Sequence, residues 1–258
     1  MSSEDEGKVI SIASGKGGTG KTVSTLNIAM TLHNLGEDVL VIDADLKDPN
    51  IGINLGIYAP QSTVNEALEE EKNLLEALYI HDSGLRVIPA SLSINYLNSN
   101  LKSFSKLTRD MGGYVLIDCG PGLSEDVISC LKASDSVIPV TNPMRSALSG
   151  TIRLVELAQD LDREIEGIIV NNLTSKEISL EEIRNITGCP ILGDVPYDTN
   201  VDRSIVNRRP LVEHKPHSSA AQEFQKIAHD LAGEDYTPQF SNRFKRFVDS
   251  VKSFVSLE

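Results

Sequence analysis

The sequence predicts a doubly wound α/β domain, in which helices cover both faces of a mostly parallel β-sheet. Short apolar runs alternate with segments of helical periodicity, and a glycine-rich loop follows the first run. A chain of 258 residues that is 40% hydrophobic can build one globular domain, or at most two small ones. Alternation of this kind indicates parallel strands joined by right-handed crossovers.

The predicted strands are four to six residues long and consist mostly of Val, Ile and Leu without polar alternation, which is typical of strands buried on both faces. They span residues 8–13, 39–42, 85–89, 114–117, 136–140, 167–170 and 191–195. The predicted helices span residues 22–35, 101–111, 125–132, 146–161, 180–186 and 218–231. We expect this domain to occupy residues 1–232, followed by a hinge at 233–239 and a tail at 240–258.

The composition excludes several classes of protein. The chain has 24 Lys and Arg residues against 37 Asp and Glu, a net charge of -13, whereas proteins that grip nucleic acid carry a basic face. No stretch approaches the roughly 18 apolar residues of a membrane-spanning helix. The start of the chain is polar and acidic, unlike a secretory signal peptide, so we expect a cytoplasmic protein.

A phosphate-binding loop follows the first predicted strand. The glycines of such a loop let successive backbone N–H groups point at phosphate oxygens, and the helix that follows adds the positive end of its dipole. Lys21 is expected to reach the β- and γ-phosphates, and the Thr22 hydroxyl to ligate Mg²⁺. The loop satisfies the pattern G-x-x-x-x-G-K-[ST] between a strand and a helix, with the sequence Gly15-Lys16-Gly17-Gly18-Thr19-Gly20-Lys21-Thr22.

Carboxylates follow two other predicted strands. Asp43 and Asp45 come after the run at 39–42, and Asp118 comes directly after the run at 114–117. Ligands of open α/β sheets gather at the carboxyl ends of strands, and magnesium-dependent phosphoryl transfer needs acidic groups there. A single aspartate in such a place could merely cap a turn. Two strands that end this way, beside a complete phosphate loop, favour a magnesium site.

The loop, with its early lysine, resembles the deviant Walker A loop of the MinD/ParA family of ATPases, and within it the archaeal-type MinD proteins. The resemblance implies ATP and Mg²⁺ as ligands and a homodimer in which Lys16 reaches the nucleotide of the other subunit. A solvated surface lysine is the alternative for that residue. The resemblance also implies a place near the magnesium shell for Asp43, the orientation of the attacking water for Asp45, and a Walker B role for Asp118.

The resemblance continues to about residue 232. Asn171 matches an asparagine that binds the adenine edge, and Pro196 and Asp198 lie in a segment similar to the adenine-side loop of the family. Two positions depart from the family pattern: the proline after the Walker B strand is shifted by one, to Pro121, and Met144 replaces a glutamate. A partner contact made by that glutamate in the family is therefore not carried over.

Residues 240–258 combine basic and aromatic side chains. They hold four of the six phenylalanines and a net charge of +2, against -13 for the whole chain, which leaves -15 for the rest. Their apolar residues are spaced as one stripe of a helix. Such a helix could pack on the body or dock on a partner protein. The basic bias, and the resemblance to the membrane-targeting helix of MinD, favour reversible attachment to the inner face of the cell membrane.

These patterns predict a regulatory ATPase that dimerises with Mg-ATP, attaches to the membrane and hydrolyses ATP. Its expected role is to position the division site or another surface assembly, together with an unidentified activator or cargo protein. The alternative is a DNA-partitioning ATPase of ParA type. Its basic surface would consist of Arg203, Arg208 and Arg209, which is thin against the acidic body, so no strong binding of nucleic acid is expected.

The cysteines raise a third and less favoured alternative, an iron–sulfur carrier of Mrp type. Cys119 or Cys130 could ligate a cluster between subunits, but the chain has no CxxC pair. Buried apolar positions are the simpler interpretation of these two residues and of Cys189.

Overall fold

The computed structural model describes residues 7–69, 73–96, 99–102, 104, 112–171 and 176–238. Most of the helix predicted at 101–111, and the whole tail predicted at 240–258, lie outside the described residues. None of the helices in the described part of the chain has the length and apolar character needed to cross a bilayer.

The described residues form a nine-stranded sheet. Its strands are β1 (Lys8–Ser14), β2 (Val39–Ala44), β3 (Tyr79–Ile80), β4 (Arg86–Ile88), β5 (Tyr114–Pro121), β6 (Ser136–Thr141), β7 (Glu164–Ile165), β8 (Ile168–Asn171) and β9 (Ile191–Val195). The order across the sheet is β3-β4-β2-β5-β1-β6-β8-β9, with β7 paired to β6. The described pairs are parallel except for β3 with β4. β1 therefore lies in the middle of the sheet, between β5 and β6.

The helices of the described residues are α1 (Lys21–Leu35), α2 (Ile51–Leu55), α3 (Val64–Glu69), α4 (Glu125–Ala133), α5 (Arg145–Asp160), α6 (Leu180–Thr187), α7 (Asn200–Val206), α8 (Leu211–His214) and α9 (Ser219–Ala232), with 3₁₀ turns at Leu74–Ala77 and Ile94–Tyr96. Ser124, Ser179 and Ser218 cap α4, α6 and α9 by accepting a backbone hydrogen bond from the first turn. Serine is a preferred residue at this position because its hydroxyl satisfies an otherwise unpaired N–H group.

Both faces of the sheet are covered, as the sequence predicts. The side chains of β1 alternate between two cores: Ile10 and Ile12 pack with α1 and α9 on one face, whereas Val9 and Ala13 belong to the core of the other face, with α3, α4 and α5. Strands buried on both faces need apolar residues at successive positions, which explains the continuous apolar runs. The doubly wound α/β class with a mostly parallel sheet is confirmed by this topology.

Strands β2 and β5 extend past the aspartates at which the prediction ended them. β2 continues through Asp43 to Ala44, and β5 continues through Asp118 to Pro121, because the parallel ladder pairs Asp43 with Asp118 and extends one residue further. The prediction stopped both strands at the first charged residue. It was wrong because backbone hydrogen bonds, and not side-chain polarity, decide where a strand ends. The two carboxylates consequently lie inside the sheet instead of in the loops that follow.

Helix α9 ends at Ala232 with Gly233 as its C-cap residue, and the residues after it turn back onto the helix. The Tyr236 hydroxyl lies 3.1 Å from Gln225 Oε1, and the Tyr236 ring lies 5.2 Å from the His229 ring. The Glu234 N–H donates to the carbonyl of His229. The first half of the segment predicted as a hinge is therefore held against α9 by its own side chains.

Candidate functional site

The loop between β1 and α1 has the backbone geometry of an anion-binding site. Gly18 and Gly20 have φ angles of 76° and 91°, which residues with a side chain rarely adopt. Gly20 is the N-cap residue of α1, so no side chain caps this helix, and its first turn holds no acidic residue. The N–H groups of that turn are therefore open to a ligand, and the positive end of the helix dipole favours an anion such as a phosphate group.

The loop begins where helix α5 touches it. Gly15 and Gly150 lie so close that a Cβ added at Gly150 would be 2.7 Å from the Gly15 carbonyl oxygen and 2.9 Å from the carbonyl carbon, closer than real Cβ atoms come. Both positions therefore require glycine. Sequence reasoning missed Gly150, although a single glycine inside a helical pattern signals a packing constraint.

Lys16 lies on the exposed side of the loop. Its Nζ is 3.3 Å from the Oγ of Ser146 in the first turn of α5, and its backbone carbonyl accepts a 2.8 Å hydrogen bond from Ser14 Oγ. The backbone of Lys16 is thus fixed, whereas its exposed ammonium group contacts one hydroxyl among the described residues. A lysine held in this way can exchange that hydroxyl for a stronger anionic partner.

Three aspartates and one lysine are buried at the carboxyl ends of β1, β2 and β5. Asp43, Asp45 and Asp118 are 0%, 7% and 1% exposed, and Lys21 is 8% exposed. Within this group the acidic charges outnumber the basic one, and buried charges that lack a counter-ion are unfavourable. A bound cation would restore the balance.

The burial of the carboxylates changes their acidity. Burial raises the pKa of Asp118 to about 6, although the Lys21 ammonium and the hydroxyls of Thr22 and Thr25 act in the opposite direction. Burial also raises the pKa of Asp43 well above its usual range, and the neighbouring Asp118 carboxylate raises it further. Asp43 and Asp118 are paired side by side in the sheet, so the charge on one carboxylate disfavours the ionised form of the other.

Thr22 and Thr25 fix the orientation of Asp118. Thr22 Oγ1 donates to Asp118 Oδ2 at 2.6 Å, and Thr25 Oγ1 donates to Asp118 Oδ1 at 3.1 Å. Sequence reasoning missed Thr25, although it stands three residues after Thr22 on the same face of α1.

A hydroxyl and a carboxylate in contact beside the loop fit Mg²⁺, which prefers oxygen ligands and usually binds through one or two carboxylates together with waters and substrate phosphates. The Thr22 hydroxyl and the Asp118 carboxylate are such a pair of oxygen groups. No three His, Cys, Asp or Glu side chains of the described chain converge on a point that could hold a metal by themselves. The site thus suits an ion that enters together with a phosphate ligand.

The segment after β2 is fixed by its own aspartates. Asp43 accepts hydrogen bonds from the N–H of Asp45 (3.2 Å) and from that of Ile51 (3.0 Å), where α2 begins. Asp45 accepts one from the N–H of Asp48 at 3.1 Å. Burial raises the pKa of Asp45, whereas the Asp48 N–H and the Lys21 charge lower it. Asp45 lies in the wall of a cavity of about 330 Å³ that also includes the phosphate loop and residues of α2 and α7.

A second cavity of about 240 Å³ lies on the other side of the loop. The residues predicted to contact adenine are all in its wall: Asn171, Pro196 and Asp198. The Asn171 side chain donates through Nδ2 to the Thr19 carbonyl at 2.9 Å, so its amide also supports the phosphate loop. Asn142, which sequence reasoning did not assign to the site, donates to the backbone carbonyl of Asn171 at 2.7 Å.

Asp198 connects the starts of two helices. Its carboxylate accepts hydrogen bonds from the backbone and side chain of Asn200, at the start of α7, and from the Ala220 N–H in the first turn of α9. Partial burial raises the pKa of Asp198, but these hydrogen bonds outweigh that effect, so its pKa lies below the usual value. The carboxylate thus shapes the wall of this second cavity through the two helices.

The three cysteines lie away from the surface. Cys119 and Cys130 are fully buried in one core, and Cys189 is 5% exposed. Burial raises the pKa of the Cys130 thiol and, to a smaller extent, that of Cys189. Thiols in such places behave as small apolar groups.

A glycine loop between a central parallel strand and a helix, with carboxylates on the neighbouring strands, defines the class of P-loop nucleoside triphosphate-binding proteins. The sequence model of the ParA family, described as "NUBPL iron-transfer P-loop NTPase", matches residues 6–232. The chain therefore belongs to the ParA/MinD family of P-loop NTPases, and the family resemblance predicted from the loop is confirmed.

Similar proteins and solved structures agree with this membership. An uncharacterized ATP-binding protein of Methanocaldococcus jannaschii is 32% identical over 245 residues, which is 93% of each chain. The cell division ATPase MinD of Pyrococcus furiosus has a TM-score of 0.83 at 29% identity, over 88% of this chain and 99% of that one. The septum site-determining protein MinD of Pyrococcus horikoshii, solved with Mg-ADP, has a TM-score of 0.82 at 28% identity, over 87% and 95%.

Proposed function

We propose that this protein is a magnesium-dependent ATPase that dimerises when it binds ATP. The observation that carries the proposal is the contact of Thr22 with Asp118, at 2.6 Å, directly beside a phosphate loop whose helix has an uncapped N-terminus. The two MinD structures support it, one named an ATPase and the other solved with Mg-ADP.

The proposed reaction assigns one task to each group of residues. Lys21 and the loop from Gly15 to Thr22 would bind the β- and γ-phosphates, and Thr22 and Asp118 would hold Mg²⁺. The bound ion would neutralise charge on the phosphate oxygens. Asp45 orients the attacking water from the wall of the cavity of about 330 Å³, which is the phosphate-side cavity of this proposal. Asp43, close to the magnesium shell, keeps the segment that carries Asp45 in place through the Ile51 N–H.

The base is proposed to bind in the cavity of about 240 Å³ lined by Asn171, Pro196 and Asp198, which is therefore the base-side cavity. This cavity adjoins the phosphate loop at Gly18 and Gly20, so a nucleotide can occupy both sides of the loop at once. The carbonyl and amide of an asparagine can each bond to the edge of a base.

Lys16 is proposed to make nucleotide binding and dimerisation one event. Its exposed ammonium, held only by the Ser146 hydroxyl among the described residues, is free to reach a phosphate of the partner subunit. A charge-assisted bond to phosphate is stronger than a bond to a neutral hydroxyl, so a bound nucleotide would draw Lys16 across the interface.

Phosphate release from ATP with Mg²⁺ tests the proposed reaction. We expect slow turnover by the wild type. Lys21→Ala should lose at least about 100-fold in turnover, because the positive charge that Lys21 supplies to the phosphates is removed. Asp45→Ala should show a comparable loss. Lys132→Ala, an exposed lysine on α4, is the matched control and should keep wild-type turnover. A wild type that binds ATP but does not hydrolyse it, or an active Lys21→Ala, would contradict the proposal.

Membrane attachment is proposed to depend on residues 240–258. One copy of a short amphipathic segment binds a membrane weakly, whereas two copies in an ATP-bound dimer gain effective concentration. In a sedimentation experiment with anionic vesicles, we expect the full chain to pellet more with ATP than with ADP, and a chain cut after Pro238 to remain in the supernatant in both cases. Equal sedimentation of the two chains would rule out the tail as the anchor.

The proposed role is spatial: the placement of the division site, or of another surface assembly, from the inner face of the cell membrane. The names of the two MinD structures, a cell division ATPase and a septum site-determining protein, support this role. An activator or cargo protein would set the time of hydrolysis.

Two other functions are not favoured. Of the three arginines that could form a DNA-binding surface, Arg209 pairs with Glu213 at 3.0 Å and Arg208 lies over the Tyr58 ring. A gel shift with DNA at low salt should therefore show no strong complex. The iron transfer named in the family description requires accessible thiolates, whereas the three cysteines are buried. We expect a colourless protein without iron after purification in the absence of oxygen.

A further inference from the structure

Arg208 has a backbone conformation that residues with a side chain rarely adopt. Its φ is 57°, and among the other non-glycine residues that the structure describes only Asp162 has a positive φ. Arg208 occupies the C′ position of a Schellman motif at the end of α7, because its N–H donates to the carbonyl of Ile205 (2.9 Å) and the Arg209 N–H donates to that of Ser204 (3.1 Å). Glycine is the usual residue there, since it has no Cβ to strain.

Elsewhere the chain follows that rule. Four other described helices, α1, α2, α6 and α9, are followed by glycines with φ between 70° and 95°: Gly36, Gly56, Gly188 and Gly233. An arginine in the same conformation raises the free energy of the fold. Strain of this kind persists where the side chain serves a purpose, and it concentrates at functional sites.

The Arg208 side chain reaches across to the segment after β2. Its stem lies against Gly56 so closely that a Cβ there would be 3.2 Å from Arg208 Cγ and 3.3 Å from Nε, and its Cδ would be nearer still. Its Cζ lies 5.2 Å from the centre of the Tyr58 ring, which is within the range of a cation–π contact. Arg208 therefore joins α7 to the residues that follow α2.

Both of the joined elements border the nucleotide site. Ile205 of α7 lines both the base-side and the phosphate-side cavity. Asp43 holds the start of α2 through the Ile51 N–H, and Asp45 faces the phosphate-side cavity from the same segment. The segment is thus fixed at its start by Asp43 and at its end by Arg208, with Asp45 near the fixed start.

We propose that Arg208 is a positioning residue that couples the base-side helix α7 to the segment carrying Asp45. This inference rests on the proposed ATPase function and adds a residue to it. A nucleotide base that settles against α7 fixes Arg208, which in turn fixes Gly56 and Tyr58 and hence the segment in which Asp45 orients water. Loss of the Arg208 side chain then slows turnover and leaves binding of the nucleotide itself intact.

The experiment compares Arg208→Gly with Arg209→Ala, which removes the same charge one residue further on. Because glycine relieves the backbone strain, Arg208→Gly should melt at or above the wild-type temperature while its kcat falls about tenfold, as expected when a catalytic group is misplaced. The Kd for ADP should stay within about twofold of the wild-type value. Arg209→Ala should keep wild-type kcat. Wild-type kcat in Arg208→Gly, or a loss of kcat that simply follows a loss of thermal stability, would overturn the inference.

A second readout separates this inference from the proposed function. The chain has no tryptophan, so a Tyr58→Trp substitution introduces a single fluorescent reporter under Arg208. ADP should change its emission in an otherwise wild-type chain, and this change should be absent when Arg208→Gly is added. If the wild type hydrolyses no ATP, the proposed function fails, and this fluorescence pair still decides the coupling. An equal response with and without Arg208 would overturn the coupling, even in a chain that hydrolyses ATP.

Discussion

At the scale of single residues, the site buries more acidic than basic side chains. Asp43 and Asp118 are paired across two strands, fully or almost fully buried, with Lys21 as the nearby buried cation. The raised pKa of each carboxyl expresses the free energy of keeping acidic groups in a place without water. Such an arrangement lowers stability in the absence of ligand and gives a bound cation a favourable partner.

The pKa of Asp118 predicts how the stability of the metal-free protein depends on pH. Its folded pKa of about 6 lies above the ordinary value of 3.8, so its contribution to stability is complete at low pH and is lost as the pH rises through 6. In EDTA, the unfolding free energy of Asp118→Asn relative to wild type should therefore rise by about 2 kcal/mol between pH 4.5 and pH 8.

Urea unfolding at the two pH values measures this difference, with Asp160→Asn as a control for an exposed carboxylate at the end of α5. The control should show no comparable change. An Asp118→Asn variant whose stability relative to wild type is the same at pH 4.5 and pH 8 would contradict the account of the buried pair.

Some of these residues could be predicted from the sequence and others could not. The loop motif and the charged residues after apolar runs identify Lys21, Asp43 and Asp118, because their chemistry depends on local order along the chain. Asn142 and Thr25 support the site through contacts between residues far apart in sequence, 29 and 93 positions in the two hydrogen bonds. A linear pattern does not contain such distances.

At the scale of elements, the alternation of strands and helices is well predicted because each element is buried against a neighbour. The ends of β2 and β5 are less well predicted, since the ladder continues past the first aspartate. The two-residue strands β3 and β7 were missed for a related reason: they are too short to show a period, and only their pairing with β4 and β6 defines them.

The contact between Gly150 of α5 and Gly15 of the phosphate loop leads to a prediction about stability and nucleotide binding. Inside a helix, Gly→Ala is ordinarily stabilising by about 0.5–1 kcal/mol. At Gly150 the added Cβ would overlap the backbone of Gly15, and overpacking of this kind destabilises by about 1–3 kcal/mol. Gly150→Ala should therefore melt at a lower temperature than wild type and bind ADP about tenfold more weakly, because the loop is displaced.

Calorimetric titration with ADP and thermal unfolding test this prediction together. Gly112→Ala is the matched control, because a Cβ at that position meets nothing within 4 Å. It should leave both quantities close to wild type. A Gly150→Ala protein that is as stable as wild type and binds ADP equally well would show that the contact does not shape the loop.

At the scale of the whole molecule, the net charge of -13 is an average over unlike parts. The body carries the nucleotide site and most of the acidic residues, whereas residues 240–258 are basic and aromatic. The fold and the nucleotide site of the body could be predicted from the sequence, because its apolar periodicity is clear. The use of the tail does not follow in the same way, because an amphipathic stripe predicts an apolar face but not whether lipid or protein covers it.

The central claim is that binding of ATP and dimerisation are one event, coupled by Lys16. The most direct measurement is the molar mass in solution, by light scattering with Mg-ATP, of wild type, Lys16→Ala and Asp45→Ala. The account predicts a lasting dimer for Asp45→Ala, which binds ATP without hydrolysing it, and a monomer for Lys16→Ala under the same conditions. A Lys16→Ala protein that dimerises with ATP as the wild type does would contradict the claim.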